Sequence, residues 1–296
     1  MFKKGKFASI LLISCLVFSI FGFQASAAEE FDIVAAKKQL VQEAEQKLQT
    51  LSLNVTSEEE INKRLAKLTS EGADPTVIAD EMENYGVFQL ETPELSMRTA
   101  GIDNSSITMN APNIYYDSNT KQWIIVAGGY WKDDKWLDHV PTVQSFPMNV
   151  GGKDGFGVGF TATGGKYETK VDSHYAYMSD GKGNEISTTS RSDGDGRQGF
   201  GFQLQDYLNK TCYCPVYWPP TTEKFSYIGK HFAGLARYDS KFDSYRGVAT
   251  TYYIHTYDEA YISSIKFNVS GKTAGVEFNI ANASKSFSAY SNDSRF

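Results

Sequence analysis

Strict two-residue alternation toward the C-terminal end limits what this chain can fold into more than any other feature. Ile265, Phe267 and Val269 stand at every second position, as do Val276, Phe278 and Ile280. Residues two apart share one face of an extended strand, so each run predicts a strand with one buried and one wet face. Residues 113–116 and 123–126 flank the polar turn Asp117-Ser118-Asn119-Thr120, and 175–178 and 185–189 flank Asp180-Gly181-Lys182-Gly183-Asn184. Both patterns predict hairpins. Further strands are expected at 250–256, 261–269, 276–280 and 286–290, with turns at Asp258-Glu259, Ser270-Gly271-Lys272 and Asn282-Ala283. Short strands at this spacing predict an antiparallel β-sandwich over residues 101–296.

Composition separates this part from what precedes it. Of 41 aromatic residues, 33 lie beyond residue 100, and residues 28–100 contain only Phe31, Tyr85 and Phe88. The net charge of −6 has the opposite bias: residues 28–100 carry fifteen acidic and seven basic side chains, against twenty and nineteen afterwards. A chain 41% hydrophobic is neither a disordered tail nor a collagen or coiled-coil rod. Its acidity excludes a basic nucleic-acid binder.

Residues 28–100 read as a short α-helical segment, set off by a domain boundary near residue 100. Ile33, Leu40, Ala44, Leu48 and Leu51 make one apolar stripe on a helix over about 30–51. Ser57 and Glu60 form a capping box ahead of Ile61, Leu65 and Leu68. Asp74 and Pro75 mark a third helix start, closed by Gly86. Such narrow stripes need a covering surface, supplied by each other, by the β region or by a partner.

The first 27 residues predict export. Lys3, Lys4 and Lys6 precede an apolar run over 7–23 that ends at Ala25-Ser26-Ala27, the pattern of a secretory signal peptide cleaved after Ala27. Two other readings compete, an uncleaved anchor and a lipoprotein box with Cys15 as the modified residue. The run is short for a span, and the residues after Cys15 stay apolar where a polar tether belongs. No later stretch reaches the length of a span, so no stable membrane span is expected in the mature chain. Cleavage leaves Cys212 and Cys214, a local disulfide candidate rather than a framework.

No motif names a reaction. His139, His174, His231 and His255 include no helical His-Glu-x-x-His, and no Gly-x-Ser-x-Gly is present. His174 and His255 fall in or beside strands, where Asp172 or Asp258 are candidate partners. Residues 194–199 spell Gly-x-Gly-x-x-Gly, but a polar stretch precedes them and a strand pattern follows, the wrong setting for a dinucleotide. Asp193-Gly194-Asp195-Gly196 resembles part of a calcium loop, yet Arg197 stands where a ligand belongs. Apolar residues before Gly128-Gly129 match one kelch-like unit, and a propeller needs several. The glycine alternation over 150–160 reads as a twisted core strand, or as a hairpin able to enter a membrane.

Loop aromatics remain as the ligand-binding candidates: Tyr130, Trp131, Trp136, Tyr217 and Trp218. Such side chains offer apolar area at little rotamer cost. The leading expectation is a secreted or cell-envelope-associated, non-catalytic binding protein, with a cell-surface glycan or protein as partner and no catalytic residue, metal or cofactor assigned. One alternative is an extracellular glycan hydrolase using Asp133, Asp134 or Asp138 beside Trp131 and Trp136. The other is a secreted toxin or antimicrobial that inserts a β-hairpin, with residues 28–100 as a pro-region.

Overall fold

The computed structural model describes residues 31–51, 53–54, 56–93, 95, 106–140, 147–164, 168–211, 224–267 and 276–296. The predicted leader, Cys212, Cys214, Tyr217 and Trp218 lie outside them. The fold is mainly β, with antiparallel sheets and three helices ahead of the longer strands. No helix among the described residues is long and apolar enough to cross a membrane.

The helices start where side chains supply the missing acceptors. Ser57 Oγ accepts from the Glu60 N–H at 3.2 Å at the head of Glu58–Ser70, and Asp74 Oδ1 accepts from the Thr76 N–H at 2.9 Å ahead of Pro75–Glu83. The first helix, Ile33–Leu48, buries Ile33, Lys37 and Ala44. Lys37 is the member of that stripe which hydrophobicity hides. Its ammonium donates to the carbonyls of Phe242 at 2.9 Å and Tyr245 at 2.6 Å, 3.8 Å over the Phe242 ring. Burial pulls its pKa well below the usual lysine value, against the opposing charge of Asp243.

Two large sheets form the sandwich. The first runs Val87–Gln89, Ile107–Asp117, Gln122–Trp131, His231–Tyr238, Val171–Ser179, Glu185–Thr188. The second runs Ser286–Arg295, Arg246–Thr256, Asp154–Gly164, Gly199–Leu204. Both expected hairpins are present, at Tyr116↔Trp123 and at Ser179↔Glu185. Phe156, Phe202, Phe232 and Tyr253 fill the space between the sheets, with Phe232 stacked on Tyr253 at 4.1 Å and 12°. The hairpin of Tyr261–Phe267 and Val276–Ala281 covers the outer face of the second sheet through Ile262 and Ile265 against Tyr252 and Ile254.

Helices cover the outer face of the first sheet. Ile61, Leu65, Ala66, Ile78 and Met82 pack with Tyr115, Ile124, Val126, Tyr175, Tyr177, Ala233 and Leu235 in one core. The central strands are therefore buried on both sides, which explains the unbroken apolar run Trp123-Ile124-Ile125-Val126-Ala127. Gly128 follows because a Cβ there would collide with the Phe232 carbonyl on the neighbouring strand. The kelch-like spelling is thus one two-sided core strand. Likewise the glycine alternation over 155–159 lies in a central strand, paired on one side with Arg246–Thr256 and on the other with Gly199–Leu204. A Cβ at Gly157 would meet the Phe200 carbonyl.

The expected boundary near residue 100 does not separate two folded bodies. Residues Ile33–Phe296 form one compact unit. The acidic segment also supplies Val87–Gln89, which pairs with Tyr115–Asp117 at the edge of the first sheet.

Candidate functional site

Pairing register and strand parity build the site. Ile254 pairs with Gly155, so His255 and Asp154 lie beside each other at the end of that ladder. Asp154 shares the parity of Phe156, Val158 and Phe160, and His255 that of Tyr253. Strand alternation therefore turns both polar groups inward with these aromatics. Asp206 arrives just after Gly199–Leu204, whose Leu204 pairs with Asp154.

All three side chains are 0% exposed. His255 Nδ1 stands 3.0 Å from Asp154 Oδ2, 3.1 Å from Oδ1 and 4.0 Å from Asp206 Oδ2. Asp154 also accepts from the Thr256 N–H at 2.9 Å and the Tyr253 hydroxyl at 2.6 Å. Asp206 accepts from the Tyr227 hydroxyl at 2.6 Å. The far nitrogen of His255, Nε2, is buried without a hydrogen-bond partner. Trp131, His139 and Phe287 surround that ring at 5.3, 5.1 and 5.4 Å between centroids.

Two carboxylates this close and this dry resist double ionisation. Burial, and then the charge of Asp154, push the Asp206 pKa well above the ordinary carboxylate range. Burial likewise raises the hydroxyl pKa of Tyr227 and Tyr253, which keeps both as protonated donors. Burial and then the neighbouring His255 lower the pKa of His139. A sealed set of this kind can balance charge or hold an ion. It has no open face from which to exchange protons with a substrate.

Tyr227 links this centre to the surface. Its ring stacks on Trp136 at 4.8 Å and 17°, and both line an open cleft of about 280 Å³ with Asp134, Asp180, Lys182, Phe225 and Lys230. Lys230 pairs with Asp134 at 3.7 Å. Asp180 accepts from the Lys182 and Asn184 N–H groups, the Asn184 amide and the Ser226 hydroxyl. Its burial opposes ionisation, but those donors outweigh it and hold its pKa below the usual value.

The sequence-proposed residues scatter. Trp131 and Trp136 are 2% and 4% exposed, so neither offers the open platform expected of a loop aromatic. Trp131 packs edge-on to His255, and Trp136 is covered by Tyr227. Tyr130 is half-buried and stacks on His231 at 6.0 Å. Asp133 accepts from the Lys135 N–H at 3.1 Å and Asp134 from the Trp136 indole at 3.3 Å, both local turn bonds, while Asp138 is exposed. The expected carboxylate partners of the strand histidines also differ: His255 meets Asp154, about a hundred residues away, rather than Asp258. In the calcium-like stretch, Asp193 accepts from Gln203 and the Ile265 N–H, and Asp195 from the N–H groups of Arg197 and Gln198. Asp195 thus closes its own turn, and Asp193 ties that turn to neighbouring strands. The Gly-x-Gly-x-x-Gly stretch runs into the strand Gly199–Leu204 and not into a helix.

His174 points between the sheets, edge-on to Phe200 and Phe202 at 6.2 and 6.3 Å. Burial, and secondarily the charge of Arg191, push its pKa down to about 4. The folded protein therefore refuses a proton that the unfolded chain takes up near pH 6.5, and stability present above that pH is lost as the pH falls toward 4. Discounted for solvent screening of the partly exposed ring, the shift corresponds to about 1–2 kcal/mol between pH 7.5 and 4.5. Urea unfolding of His174→Phe at both pH values is expected to show that much less acid destabilisation than the native protein, and an equal loss in both would refute the assignment.

Neither a protein-family model nor a curated protein sequence matches this chain.

Proposed function

We propose that this is an exported, non-catalytic binding protein of the cell envelope or exterior. The cleft beside Tyr227 receives a charged or hydroxyl-bearing group projecting from a cell-surface glycan or protein. The observation that carries this reading is the inverse placement of the two polar sets. Asp154, Asp206 and His255, the acid–base set of this site, are fully buried, whereas the cleft presents Lys182, Lys230 and the Asp134 carboxylate to the surface. A general acid must reach its substrate and hold a raised pKa. Asp206 has the pKa without the access, and Asp180 has a lowered pKa with its oxygens already occupied.

Size also favours recognition of a projecting group. At about 280 Å³, the cleft falls at the lower limit of pockets that enclose a small molecule, roughly 300–1,000 Å³. Lys182 and Lys230 supply donors and Asp134 an acceptor, while Trp136 and Phe225 supply apolar edge.

Two measurements test the proposal. Mass spectrometry of protein recovered from the medium or envelope is expected to give a mature chain starting at Ala28, and recovery of the uncleaved form from the cell interior would refute export. Cosedimentation with purified cell-wall glycan, and with glycan-stripped surface protein in a parallel arm, is expected to show retention in one arm that falls about tenfold in Lys182→Ala/Lys230→Ala. Glycan turnover by the native protein, or retention indifferent to that double substitution, would overturn the reading.

A further inference from the structure

The cleft makes no use of the buried trio behind it, and the chemistry of that trio is of another kind. We propose that Asp154, Asp206 and His255 hold one structural divalent cation, Zn²⁺ or an ion of similar size and ligand preference.

Donor geometry is the first support. Taking one ligand atom from each residue, the three atoms all lie within 4.8 Å of one another. The His255 Nδ1 to Asp154 separations of 3.0 and 3.1 Å already match the spacing of neighbouring ligands on an ion with metal–ligand bonds of about 2.0–2.2 Å. Asp206 stands farther out, at 4.0 Å from Nδ1, and moves inward to join them.

Charge is the second. Among the described residues, no lysine or arginine is ion-paired with either carboxylate, and both side chains are 0% exposed. Among these residues the one base facing them is His255, and a single imidazole cannot compensate two buried carboxylates, each of which costs several kcal/mol to bury charged and unpaired. One dication neutralises both.

The third support is the orientation of His255. Among the described residues its polar contacts are made through Nδ1, which faces Asp154 at 3.0 and 3.1 Å, the Tyr253 hydroxyl at 3.4 Å and Asp206 at 4.0 Å. Outer contacts fix the other donors as well. Thr256 and Tyr253 hold Asp154, and Tyr227 holds Asp206, the supporting arrangement that metal ligands require.

The donor set selects the ion. One imidazole and two carboxylates suit Zn²⁺ or Mn²⁺, whereas Ca²⁺ wants six to eight oxygens. A closed site fits a structural ion that ties Asp154–Gly164, Arg246–Thr256 and Asp206, two residues beyond Gly199–Leu204, together behind the cleft wall.

The experiment uses the mature chain purified without chelator. Elemental analysis by mass spectrometry is expected to find about one equivalent of zinc or manganese per chain. Protein unfolded in guanidinium with EDTA, desalted and refolded should melt about 10 °C higher with added Zn²⁺ than without. Asp206→Asn should lose both the bound ion and the Zn²⁺-dependent rise, while Asp80→Asn, at an exposed carboxylate on the helix Pro75–Glu83, keeps both. A metal-free native protein whose melting temperature ignores Zn²⁺ and Mn²⁺ would overturn the proposal. So would an equivalent of metal retained by Asp206→Asn. Because Lys182 and Lys230 are untouched, glycan or protein retention by the cleft is scored separately from either outcome.

Discussion

A chain beginning at Ser106 is expected to fail as an independent domain, although of the two sheets it loses only the short edge strand Val87–Gln89. Removing the preceding residues strips Ile61, Leu65, Ile78, Met82 and Val87 from the face formed by Tyr115, Ile124, Val126, Tyr175 and Leu235. At roughly 1.5–3 kcal/mol for each large apolar side chain, five such contacts amount to about 7–15 kcal/mol. That equals the whole stability of a typical domain, about 5–15 kcal/mol. The exposed face would also be a large apolar patch on a β-sheet, which favours association. The truncated chain should be recovered mainly as aggregate, and any soluble fraction should bind a hydrophobic dye and lack near-ultraviolet circular dichroism. A soluble product with a cooperative transition near that of the chain beginning at Ala28 would show instead that the acidic segment is dispensable, as a removable pro-region requires.

The second large effect is expected at Arg237. Its guanidinium is fully buried, donating through Nη1 to Asp117 Oδ2 at 2.7 Å and through Nε to Asn62 Oδ1 at 2.8 Å, with Glu58 at 3.5 Å. Asp117 is equally buried. Arg237→Met leaves that carboxylate without its counter-ion and should cost about 3–5 kcal/mol in urea unfolding. Adding Asp117→Asn removes the stranded charge, so the double variant should recover much of the loss. A single substitution costing under about 1 kcal/mol, or a double variant no better than the single, would mean that the buried Arg237–Asp117 pair is not an energetically coupled unit of the first sheet.

Much of the architecture could be read before the structure because local physics decides it. Ser57, Asp74 and Pro75 start their helices as capping chemistry requires, and the turns at 117–120 and 180–184 place the two hairpins correctly. Composition misled where it stood for spatial separation. The acidic segment has few aromatics because it contributes aliphatic ridges to a shared core, and it even contributes a strand. Trp131 and Trp136 are less open than loop aromatics were expected to be, for a related reason. Trp131 closes an inward-facing strand and Trp136 lies under Tyr227, environments that adjacent polar residues do not reveal. The buried trio was out of reach because its members are about fifty to a hundred residues apart and depend on pairing register. A partial signal was present: an aspartate at position 154 has the parity of Phe156, Val158 and Phe160. A charge in step with a buried apolar series requires compensation inside the fold.

Lys37 gives the docked first helix a chemical signature. With both carbonyl acceptors and the Phe242 face occupied around it, its amine is screened from bulk reagents while solvent-facing lysines such as Lys38 are not. Acylation at this one position proceeds when the segment lifts away from the Phe242–Tyr245 loop, so with reclosing faster than the reagent the rate of labelling reports the population of the detached state.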